Sequence, residues 1–90
     1  MHQCQALVKL LEAILHDSAN RSRHIEQFQR RVWTDPAVHS EPDIANAIRE
    51  LAYDLDFFEP DERNRRTDPA LFGESRMKQE VQSVLDRLSA

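Results

Sequence analysis

Residues 40–58 read SEPDIANAIRELAYDLDFF, and their phase decides the fold class. Ile44, Ile48, Leu51, Leu55 and Phe58 recur at spacings of 4, 3, 4 and 3. That is the stripe of an α-helix with one buried side. Ser40-Glu41-Pro42-Asp43 marks its start. A Ser, an acid three residues later and a Pro in the first turn come close to a capping box. Pro60 disfavours helical backbone at Glu59, so this helix is expected to end near Phe58.

Working outward, three more helical patterns flank it. Over residues 2–17, Leu7, Leu10, Leu11, Ile14 and Leu15 share one side, with Lys9, Glu12 and His16 elsewhere on the wheel. Residues 17–20 are turn-like. Residues 19–33 carry Ile25, Phe28 and Val32 on the apolar side, with Ser22 or Ser18 as cap and Trp33 expected to close the core. Asp35-Pro36 stops this helix. The last helix begins around residues 72–74 and runs to Leu88, burying Met77, Val81, Val84, Leu85 and Leu88. Residues 61–72 form a polar connection, expected to be ordered by Leu71 and Phe72 packing on the core. The pattern implies one all-α domain over residues 1–90, a compact antiparallel four-helix bundle.

Composition narrows the function classes. With 40% apolar and 31% charged residues and a single Gly, the chain reads as globular and helix-rich. No apolar run approaches the length of a membrane span, and His2, Lys9 and Glu12 interrupt the start where a signal peptide would lie. A soluble, cytoplasmic protein without a membrane partner is expected. Cys4 is the only cysteine, which excludes an internal disulfide and a cysteine-based metal framework. His2, His16, His24 and His39 are scattered and lack ligand spacing, although His24 falls near His16 across the first turn. They are read as surface or capping residues, so no metal and no other cofactor is expected. Asp54/Asp56 and Glu59/Asp61 are paired carboxylates of the kind used in acid–base chemistry. The sequence has no glycine-rich phosphate loop and no Ser/His/Asp arrangement, and a domain this small has little room for a deep pocket. The expectation is a protein that is not an enzyme.

Charge is unevenly spread. Residues 1–40 hold five Lys/Arg against four Asp/Glu, whereas residues 41–90 hold seven against twelve. The run at residues 50–62, ELAYDLDFFEPDE, has six carboxylates and no basic residue. Such a cluster repels itself unless something uses it. A solvated helix face is the ordinary reading of acids like these. Asp56 and Glu59, however, lie near a helix C-terminus, where negative charge opposes the dipole. No Lys or Arg four residues on compensates Asp54 or Asp56, and Arg63 is the one cation spaced to pair with Glu59. The placement fits a surface that binds a basic protein.

The second helix carries Arg21, Arg23, Arg30 and Arg31. One reading is a phosphate-binding face, as in a small DNA-binding antitoxin or adaptor module. The acidic remainder of the chain argues against nucleic acid. The other reading is intramolecular, with the basic helix lying beside the acidic one.

Phe58-Glu59-Pro60-Asp61, then Arg63, Gly73 and Lys78-Gln79-Glu80-Val81-Gln82-Ser83-Val84-Leu85, resemble the C-terminal half of the colicin D immunity protein family. There an F-E-P-D run ends one helix, a polar connection follows, and the final helix carries a K-x-E-V-x-S-x-L pattern. The resemblance covers about the last forty residues of the chain; the first half agrees only in length and helical pattern. It implies a small helical bundle that neutralises a tRNA-cleaving ribonuclease toxin, filling the toxin's basic active-site cleft with carboxylates that mimic anticodon-loop phosphates. Carried onto this chain, those carboxylates are Asp56, Glu59 and Asp61, with Asp54 and Glu62 as secondary candidates and Glu50 as a bystander. The family usually has Glu at the first of these positions, so the implied partner is a diverged toxin, from a bacteriocin or a contact-dependent inhibition system.

Overall fold

The computed structural model describes residues 5–34 and 42–89. Cys4, His2, His39, the Asp35-Pro36 stop and the Ser40-Glu41 half of the capping box lie outside the described residues. All regular structure among the described residues is helical. It comprises α1 (Gln5–His16), α2 (Arg21–Thr34), α3 (Pro42–Asp54), α4 (Glu62–Arg65) and α5 (Glu74–Ser89). Short 3-10 turns at Ser18–Asn20 and Leu55–Phe57 precede α2 and extend α3.

Each apolar stripe becomes one wall of a single core. Leu7, Leu11 and Ile14 of α1 are buried, as are Ile25, Phe28 and Val32 of α2. Ile48 and Leu51 of α3 and Met77, Val81, Val84 and Leu85 of α5 complete it. Leu10, Leu15, Ile44 and Leu88 are half-buried at its margin. α1 packs mainly on α2 and α5, and α3 packs on the same two helices. Burying a Leu, Phe or Met side chain in such a core contributes roughly 1.5–3 kcal/mol. Bulk alone does not secure a core position. Trp33, expected to close the core, is 56% exposed at the end of α2.

The α1–α2 corner is closed by a buried cation. Helix ends leave carbonyls without intrahelical partners. Arg21, only 9% exposed, donates Nε to the Ile14 carbonyl at 2.6 Å and Nη2 to the Leu15 carbonyl at 3.1 Å. Its third nitrogen, Nη1, reaches Glu74 Oε2 at 2.6 Å in the first turn of α5. One guanidinium fork therefore joins the end of α1, the start of α2 and the start of α5. At the same corner no serine caps α2: Asp17 precedes the 3-10 turn and accepts from Asn20 Nδ2 at 3.1 Å. His24 pairs with Asp17 at 2.9 Å rather than with His16.

α3 ends earlier than its stripe does. The α-helix stops at Asp54, tightens to a 3-10 turn through Phe57, and Phe58 is already extended. The stripe continues because Phe58 packs on the core from non-helical backbone. Phe72 approaches alongside. Its N–H donates to the Phe57 carbonyl at 2.9 Å, and Glu59 N–H donates to the Phe72 carbonyl at 2.8 Å. These bonds make an isolated parallel bridge between Phe58 and Phe72. The polar connection is thus ordered from its far end: Phe72 is buried and Leu71 half-buried. The connection also holds the one-turn helix α4, which sequence periodicity is too short to reveal.

Candidate functional site

The six carboxylates of residues 50–62 fall into two groups once their neighbours are placed. Glu50 is exposed on α3. Asp54, the last residue of α3, is half-buried rather than on the exposed side. Burial first, and then a hydrogen bond with Glu80 of α5 and its charge, push the Asp54 carboxyl above its usual range; the Arg76 guanidinium opposes this. Arg76 is committed to Glu80, with Nε 2.6 Å from Oε2, and its guanidinium carbon lies 4.6 Å from the centre of the Phe72 ring. Glu62 pairs with Arg66 one turn on, at 3.6 Å.

Asp56, Glu59 and Asp61 are held differently. Asp56 is exposed in the Leu55–Phe57 turn, and its Oδ1 accepts from Gln29 Nε2 at 2.8 Å. The same Gln29 amide nitrogen lies 3.0 Å from the Ala52 carbonyl. A neutral side chain from α2 therefore fixes the Asp56 carboxylate to the end of α3. Glu59 Oε2 accepts the Asp61 backbone N–H at 3.2 Å. Asp61 caps α4, its Oδ1 accepting the Arg63 N–H at 2.9 Å. Arg63, spaced to pair with Glu59, instead stands 3.9 Å from Asp61 in an ion pair whose cation is almost fully exposed. Such a pair contributes little.

The backbone under these acids is clamped. Arg65 donates Nη1 to the Glu59 carbonyl at 2.7 Å and to the Pro60 carbonyl at 3.1 Å. A β-carbon at Gly73 would lie 3.0 Å from the Arg65 guanidinium. The chain's one glycine thus sits where Arg65 must pass. Gln29, Arg65 and Gly73 are positioning residues that no sequence pattern marks, although a lone glycine just before the final helix is itself a signal of close approach.

One of the four arginines of α2 is withdrawn from its surface. Arg21 is buried at the α1–α2 corner, which leaves Arg23, Arg30 and Arg31 exposed. Gln29 makes one contact from α2 to the acidic turn. An open groove of about 820 Å³ runs between α1 and α2, lined in part by Lys9, Leu10, His24 and Arg30. His24 Nδ1 is buried with no hydrogen-bond partner among the described residues. No group of His, Cys, Asp and Glu able to hold a metal ion occurs among the described residues. No helix among them is long and apolar enough to cross a membrane. Comparison with known proteins finds no matching family model, no matching curated protein and no matching solved structure.

Proposed function

We propose that this chain is a non-enzymatic immunity protein of the colicin D type. In this reading it is an antiparallel four-helix bundle that closes the basic active-site cleft of a cognate tRNA-cleaving toxin. Asp56, Glu59 and Asp61 enter the cleft in place of tRNA phosphates, with Asp54 and Glu62 at its edge.

One observation carries the reading. Asp56 and Glu59 are oriented by neutral donors, a glutamine amide and a backbone N–H. Glu62, Glu74 and Glu80 are each paired with arginine, and Asp61 more loosely with the exposed Arg63. A neutral donor gives a carboxylate a fixed direction without pairing it to a cation, which suits a basic cleft. The F-E-P-D run and the K-x-E-V-x-S-x-L pattern add the resemblance. A complementary acidic face also raises association rates well above about 10⁶ M⁻¹s⁻¹, which matters when free toxin kills its host. The rival DNA-binding reading loses one of its four cations, because Arg21 is buried.

The test is to find whether a gene beside the one for this chain encodes a basic ribonuclease domain, to co-purify that domain with this chain, and to follow association at rising salt. A tight 1:1 complex whose on-rate falls steeply with salt is expected. Binding to duplex DNA, with none to the domain, would refute the reading.

A further inference from the structure

An exposed aromatic lies beside the acids. Tyr53 is 59% exposed, and among the described residues only Trp33 is a comparably exposed large apolar side chain. The Tyr53 ring is braced: its centre lies 5.5 Å from that of Phe57, with the planes tilted by 58°. Phe57 is half-buried against the core, and its carbonyl is bonded to Phe72 N–H. A solitary exposed tyrosine is common on protein surfaces. A tyrosine held by a second ring on an anchored turn is pre-organised, so little side-chain freedom is lost when a partner covers it.

Its neighbourhood names the partner's chemistry. Glu50 lies three residues before Tyr53 and Asp56 three after, and Phe57 is four after. Glu50 shares a side of α3 with Tyr53, and Asp56 lies in the 3-10 turn that follows, next to the bracing Phe57. Glu50 and Asp56 are both exposed there. Arg49, one turn before Tyr53, is hydrogen-bonded to Asn46 at 2.6 Å. Asn46 is neutral, so the patch is an aromatic with two exposed carboxylates and one exposed guanidinium around it, net negative.

We propose that Tyr53, braced by Phe57, is the apolar anchor of the interface, entering an apolar recess at the rim of a basic protein surface. The proposal rests on the immunity reading and deepens it. The carboxylates steer and orient the partner, while Tyr53 supplies the desolvated contact that slows dissociation. Tyrosine near the centre of an interface is a frequent hot spot.

The test uses the full chain and the purified ribonuclease domain that the co-purification above identifies, with association and dissociation measured separately. Tyr53→Ala is expected to speed dissociation about 30-fold, with the on-rate changed less than about 3-fold. Tyr53→Phe keeps the ring and should dissociate much as the unsubstituted protein does. The isosteric triple variant Asp56→Asn/Glu59→Gln/Asp61→Asn should instead slow association and flatten its salt dependence. If Tyr53→Ala disturbs the fold by circular dichroism, Tyr53→Arg serves, since arginine suits a helix and repels a basic partner. An unchanged off-rate in the folded Tyr53 variant overturns the anchor and leaves the acidic reading standing. An unaffected triple variant with a fast-dissociating Tyr53 variant does the reverse. No binding by the unsubstituted protein overturns both. A dimer that Tyr53→Ala dissolves would also overturn the anchor, assigning the ring to a second copy of the chain.

Discussion

Replacing Arg21 with Ala should be among the most damaging single changes outside the apolar core. The side chain makes two bonds to main-chain carbonyls at the end of α1, at 2.6 and 3.1 Å, and is nearly buried. Hydrogen bonds from a charged donor contribute about 1.5–3 kcal/mol each. Taking the lower figure, because the corner gains some water access when the side chain leaves, the loss is about 3 kcal/mol. For a domain of this size that lowers Tm by about 12–24 °C. The third bond, to Glu74, is to a carboxylate 54% exposed, so it is left out of that figure. It supplies a pH signature instead. Arg21 first, and then Lys78, hold the Glu74 carboxyl below its usual range. A lowered folded-state pKa stabilises the fold at pH above the ordinary glutamate value, and that stabilisation is lost as pH falls through the lowered value. The gap between the native protein and Arg21→Ala should therefore narrow from pH 7 to pH 3. Urea unfolding followed by circular dichroism at both pH values measures it. A loss below about 1 kcal/mol at pH 7, near the ordinary value for a neutral bond, would refute the structural role assigned to Arg21.

Two further predictions concern the scaffold of the acidic face. Asp54 carries the opposite sign of linkage, its carboxyl being raised by burial and by Glu80. The fold takes up a proton there before the unfolded chain does, so this site favours unfolding as pH rises through the raised value. Asp54→Asn should raise the urea midpoint at pH 7 and have less effect near pH 4; equal effects at both would contradict the assignment. Gly73→Ala should push Arg65 off the Glu59 and Pro60 carbonyls, which it meets at 2.7 and 3.1 Å. The expected cost is about 1 kcal/mol, with faster amide exchange at Asp61 and Arg63, and unchanged exchange there would show that Arg65 yields freely.

The helical phase was legible because it is repeated. Ile48, Leu51 and Leu55 recur on one side, and all three are buried. Period alone could not show where α3 gives way to a 3-10 turn, because Phe58 continues the stripe in extended backbone. Arg21 reads as a surface cation in sequence, since the carbonyls it meets belong to a turn six and seven residues earlier. The acidic run itself was plain. Which of its members face arginine and which face neutral donors depends on Gln29, Arg66, Arg76 and Glu80, and those neighbours are set by tertiary packing. Asp54 shows the difference: it reads as a surface acid, yet lies half-buried against a second carboxyl.

The most direct measurement is inhibition of tRNA cleavage by a ribonuclease domain found to co-purify with this chain. Native protein should be compared with the triple variant Asp56→Asn/Glu59→Gln/Asp61→Asn. The amides keep shape, and Asn retains the cap of α4, so the variant is expected to fold. If these carboxylates stand in for phosphates, native protein abolishes cleavage near 1:1, and the variant needs at least about 30-fold more protein to do so. Full inhibition by the folded variant at native concentration would contradict the central claim.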